Sequence, residues 1–91
     1  MLRPADFIAP YRGKFDHGWD AWREEVFARQ IASGLLPEGT ALSARPSWVP
    51  AWDSLSADER RLYARMMEVY AGFLTHTDAQ VQRVLDAIDE L

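Results

Sequence analysis

From Ser56 to Leu91 the chain contains no proline, and its apolar residues recur at steps of three or four: Leu62, Met66, Val69, Tyr70, Phe73, Val81, Val84, Leu85, Ile88 and Leu91, with Thr77 filling the one gap. That period is the period of one helix face, and only Gly72 interrupts it. Ser56-Ala57-Asp58-Glu59 fits a capping box, in which the serine oxygen takes a free amide and the glutamate returns to the serine amide. The pattern predicts a single helix over 56–91, about 50 Å long at about 1.5 Å per residue. Asp86, Asp89 and Glu90 place negative charge at its negative dipole end, so the last turns are expected to fray or to be covered by another element. Everything else in a 91-residue chain has to arrange itself along this rod.

A second helix is predicted over 19–33, where Trp19, Trp22, Val26, Phe27 and Ile31 share a face and Asp20, Arg23, Glu24 and Arg29 take the other. Gly34 and Pro37 end it. Residues 34–55 carry Pro37, Gly39, Pro46 and Pro50 with Trp48 and Trp52, and read as a long connection pinned by aromatic side chains. Residues 1–18 hold two prolines and two glycines without sustained periodicity, and read as an irregular arm with a turn at Tyr11-Arg12-Gly13-Lys14. The fold class is mainly α, organised as one helical unit over 1–91. With 48% hydrophobic residues, four Trp, four Phe and three Tyr, two helices of unequal length leave apolar surface for a partner.

The net charge of −4 argues against a nucleic-acid partner, because neutralising phosphates takes clustered Lys and Arg. With no cysteine there is no disulfide framework, thiolate nucleophile or Cys-ligated metal. No apolar run reaches the length of a membrane span, and Met1-Leu2-Arg3-Pro4-Ala5-Asp6 does not open a signal peptide. A soluble chain with no membrane partner is expected, and its compartment is left unassigned.

The chemistry-bearing residues form no convincing set. His76 and Asp78 are two apart on a helix, about 200° around its axis, and cannot share an ion. Asp16, His17 and Asp20 could meet at a helix start, but an aspartate there is explained more simply as a cap on free amides. Arg60, Arg61 and Arg65 could hold an anion beside a helix start. The simpler reading is a solvated face paired with Asp58 and Glu59. There is no G-x-S-x-G elbow, P-loop or dinucleotide glycine pattern. The reading assigns no catalytic, cofactor-binding or metal residue to this chain.

Four stretches in order resemble bacterial arylsulfatases of type I: Tyr11-Arg12-Gly13 followed by Asp16-His17-Gly18-Trp19-Asp20; Gly34-Leu35-Leu36-Pro37; Pro50-Ala51-Trp52-Asp53-Ser54-Leu55; and Met67-Glu68-Val69-Tyr70-Ala71. The resemblance covers roughly Leu2 to Leu91. It implies a parent enzyme of the alkaline-phosphatase-like α/β class that hydrolyses sulfuric esters with a formylglycine and a divalent ion, usually calcium. The C/S-x-P-x-R motif that supplies the formylglycine and the Asp-Asn-Gly stretch that supplies metal ligands are absent from this sequence. Both cofactors are therefore expected only in a full-length relative. Leu2-Arg3-Pro4 resembles the tail of a His-x-Pro stretch near the sulfate site, whose histidine would precede Met1. Gln82 stands where the family commonly has glycine, which would hinder close packing of the last helix on a sheet.

Two functional expectations follow. In the first, the chain is a sulfatase-like segment, inactive alone, that serves as scaffold by packing its Met66, Tyr70 and Phe73 face on the remainder of a sulfatase fold. In the second, it is a stand-alone helical module for protein interaction or homodimerisation, with a second copy as partner.

Overall fold

Serine 56 and its neighbours start the dominant element as the spacing predicts. In this computed structural model, which describes residues 3–91, the Ser56 hydroxyl accepts from the Glu59 amide and the Glu59 carboxylate accepts from the Ser56 amide, both at 3.1 Å. The helix they cap, α3, spans Ala57–Asp89. It closes slightly inside the expected bounds, with Gln82 donating to Asp86 at 2.8 Å near its acidic end. The helix therefore holds to Asp89 without a basic residue in its last turn.

The N-terminal arm is irregular apart from one short helix, α1, Pro4–Ile8, and a single 3-10 turn, Ala9–Tyr11. Periodicity could not reveal five residues, but the local chemistry suits them. Pro4 sits at the first helical position, where its missing N–H is harmless, and Asp6 accepts from the Arg3 amide at 2.7 Å. This short helix lies across α3 at Gly72. A β-carbon at Gly72 would stand 2.6 Å from Ile8 Cγ1 and 2.8 Å from Ile8 Cα, so the one apparent interruption of α3 is the crossing point that lets two backbones approach. Around it, Tyr11 Oη and Thr75 Oγ1 are 2.6 Å apart, and the Phe7 ring meets His76 edge-on at 5.0 Å.

The second helix, α2, spans Gly18–Ala32, one residue earlier than its apolar period indicates. Gly18 has a φ of 88°, and any side chain there would run into the Trp52 ring. The amides of Ser33 and Gly34 then close onto Arg29 and Ile31. Residues 34–55 return along α2 and are held to it by polar contacts. The Trp19 indole donates to Pro50 O at 3.1 Å, Arg23 donates to Ser43 Oγ at 2.8 Å, and Asp20 accepts from the Trp52 amide at 2.9 Å. A second 3-10 turn, Trp52–Ser54, then delivers the chain to α3.

The core is thin. Trp52, Leu55 and Ala64 are buried together with Trp19 packed against them, Phe15 is buried nearby, and among the described residues no large side chain is fully excluded from water. The radius of gyration is 17.1 Å, where a compact chain of this length has about 12 Å. The accessible surface is 7321 Å², where a compact monomer of this mass exposes about 5,400 Å². Most of the large apolar side chains left exposed lie along α3.

Candidate functional site

Asp20, Arg60 and Arg65, singled out in the sequence, are engaged in contacts that hold the fold. Asp20 does not cap α2, as the sequence suggested. The N-cap is His17, which makes no side-chain cap bond, and the Asp20 carboxylate reaches instead to the Trp52 amide and to Arg45 at 3.1 Å. The Trp52 amide above all holds the Asp20 carboxyl below its ordinary value of 3.8; burial, next in size, pushes the other way, and Arg45 and Arg23 lower it further. His17 turns toward Glu25, Nε2 to Oε2 3.2 Å, and against the Trp22 ring. His17 and Asp20 thus go to different partners. Among the described residues no three His, Asp or Glu side chains are grouped so as to hold one metal ion.

His76 packs on Phe7, and Asp78 is exposed. The three arginines diverge: Arg60 donates to Asp53 O at 2.8 Å, Arg61 pairs with Asp58, and Arg65 pairs with Glu68 at 3.0 Å. Fixed to three separate acceptors, they do not form an anion cradle.

Sequence reasoning missed Glu68. Among the described residues it is the one buried charged residue, 7% exposed, and it accepts from both Arg65 and the Gly13 amide, the latter at 3.3 Å. It therefore fastens the Tyr-Arg-Gly turn to α3. A signal was available: Ala64, Glu68 and Gly72 are spaced by four, and small residues at that spacing mark a helix face that another backbone approaches.

The opposite face of α3 is apolar and open. Met66 is 56% exposed, Tyr70 63% and Phe73 69%, with Leu62 and Val69 beside them. Tyr70 and Gly72 are two residues apart, about 200° around the axis, so Tyr70 faces away from the arm, while Val69 and Phe73 border Pro4 and Ile8 of the arm. At its edge the stripe runs into a cleft of 340 Å³ between α2, the Trp52 turn and α3. The cleft is lined by Phe15, Gly18, Trp19, Trp22, Trp52, Tyr63, Ala64, Met66, Met67 and Tyr70. None of these is a carboxylate, imidazole or thiol, and the Trp19 indole is already spent on Pro50 O. Such a surface can hold an apolar group by contact, and the ionisable side chains among its lining are the phenols of Tyr63 and Tyr70.

Comparison with known proteins places this surface in context. An uncharacterized sulfatase of Schizosaccharomyces pombe is 33% identical over 87 residues, covering 94% of this chain and 16% of that protein. An arylsulfatase of Klebsiella aerogenes is 23% identical over 90 residues, covering 99% of this chain and 19% of that protein. The chain thus spans less than a fifth of either relative's length. No family model matches it. No solved structure matches it. No helix among the described residues is long and apolar enough to cross a membrane.

Proposed function

We propose that this chain, which is related over nearly its whole length to a segment of sulfatases, acts as a structural element and contributes no group to sulfuric ester hydrolysis. The observation that carries the reading is the stripe of Met66, Tyr70 and Phe73, each more than half exposed on α3. Burying an aromatic side chain of this size is worth roughly 1.5–3 kcal/mol, so the stripe and the adjoining cleft form a docking face for the body of a sulfatase-type fold. The ionisable residues support the same reading. Asp20, Glu68, Arg60 and Arg65 are committed to the contacts that keep α2, the arm and the connection on α3.

The test has two parts. Purified chain supplied with calcium and an aryl sulfate is expected to release no sulfate; turnover that follows the chain through purification would overturn the reading. The chain is then substituted for the matching segment of the Klebsiella aerogenes arylsulfatase. A soluble chimera is expected, and Tyr70→Asp together with Phe73→Asp should abolish its soluble yield while leaving the helicity of the isolated chain unchanged. A chimera indifferent to both substitutions would remove the docking role.

A further inference from the structure

The four tryptophans divide three against one. Trp19 and Trp52 meet edge-on with ring centroids 4.9 Å apart, Trp22 meets Phe15 at 5.1 Å, and Trp52 is 6% exposed. Trp48, on the connection between α2 and α3, is 83% exposed. On a loose loop this would call for no account, since single apolar residues are scattered over most protein surfaces. The turn that carries Trp48 is not loose. The Val49 amide donates to Pro46 O at 3.0 Å, and Arg45 Nε donates to Val49 O at 3.0 Å, so the backbone on either side of the indole is closed on itself. The same Arg45 ties the turn to α2 through Asp20 at 3.1 Å. Beyond it, the Trp19 indole donates to Pro50 O at 3.1 Å. Pro46 and Pro50 fix φ at the two ends.

We infer, on the structural reading proposed above, that Trp48 is a preorganised anchor which enters an apolar pocket, with a carbonyl acceptor for its indole N–H, on the body of a sulfatase-type fold. It adds to the α3 stripe a contact from a different part of the chain. Three observations select this occupant. A turn fixed before binding gives up little conformational freedom when its side chain is buried, which suits a surface of fixed shape. Tryptophan is among the side chains that most often carry the energy of such contacts, because it buries a large rigid ring and offers one donor. The Schizosaccharomyces pombe sulfatase matches 94% of this chain, so the turn lies inside the matched stretch, and that stretch is only 16% of the relative, whose remaining chain is the fold against which such a turn is set. A lipid surface is disfavoured, since the net charge is −4 and the cation beside the turn, Arg45, is spent on Asp20.

The experiment is hydroxyl-radical footprinting, read residue by residue by tandem mass spectrometry, on the isolated chain and on the chimera in which it replaces the matching segment of the Klebsiella aerogenes arylsulfatase. In the isolated chain Trp48 should oxidise fastest of the four tryptophans. In the chimera its rate should fall about fivefold or more, as for an anchor cleared of water. Trp48→Ser should leave the melting of the isolated chain within about 2 °C of the unaltered chain and should lower that of the chimera by several degrees. An unchanged oxidation rate in the chimera, or a chimera whose melting ignores Trp48→Ser, overturns the inference. So does protection that already appears in the isolated chain as its concentration rises, which would assign the indole to a second copy. The two readings fail separately. A chimera sensitive to Trp48→Ser but indifferent to Tyr70→Asp with Phe73→Asp loses the α3 docking face and keeps the anchor, and the reverse result loses the anchor alone.

Discussion

The two halves of α3 share one helical period and meet different fates. From Ala57 to His76 the helix has a face of small and polar residues, Ala64, Glu68, Gly72 and Thr75, and on that face lie the arm and the Trp52 turn. The same period continues to Asp89, but from Val81 onward every residue is exposed. The difference shows that an apolar stripe is not enough to recruit cover from the chain's own length. The arm docked where backbones could come close and polar groups could be paired, and it left the bulkiest apolar residues outside.

The sharpest way to break this contrast is Trp52→Ala. Trp52 is 6% exposed and joins α2, the connection and α3, and its removal should cost about 3–5 kcal/mol, enough to abolish cooperative melting of so small a core. Retention of a cooperative thermal transition would show that the first half of α3 does not depend on this contact. Gly72→Val tests the arm alone. Its side chain meets Ile8, so α1 must lift, at a cost of about 1–3 kcal/mol, and limited proteolysis should then cut the arm before α3. Unchanged protease resistance would put the crossing elsewhere.

Acid should loosen the α2 side in the same direction. The Asp20 carboxyl is held below its ordinary value, so its folded-state contribution is complete above that value and is lost as pH falls through the lower folded value. Thermal melting of the unaltered chain should therefore fall from pH 5 to about pH 2–3 more steeply than that of Asp20→Asn. Parallel curves would mean that the Trp52 amide and Arg45 do not depend on the carboxylate charge. The smallest effect sharpens the contrast from its empty side: Val84→Ala should alter the melting of the dilute monomer by less than about 0.5 kcal/mol, because nothing packs on it there. A loss of a kilocalorie or more would reveal cover on the second half of the helix.

Much of the fold was legible in the chain. The capping serine, the spacing of Leu62 to Ile88, the Trp19 to Ile31 face and the Gly34 stop gave both long helices to within two residues. The short helix at Pro4–Ile8 was not legible, since five residues show no period, and neither was the meaning of Gly72, which could be read only as an interruption. The site was legible as apolar surplus and as the face of Met66, Tyr70 and Phe73. The partners of Asp20 and Glu68 were hidden because they lie 32 and 55 positions away along the chain.

The sequence by itself determined the helices, their starts and stops, and the presence of more apolar side chains than they could enclose, because periodicity and capping are interactions between residues three or four apart. Only the tertiary structure decided which face of α3 would be covered. That choice rests on whether a distant backbone can approach and find its polar groups paired, as it does at Gly72 and Glu68, and contacts of that kind exist only once the chain has turned back on itself.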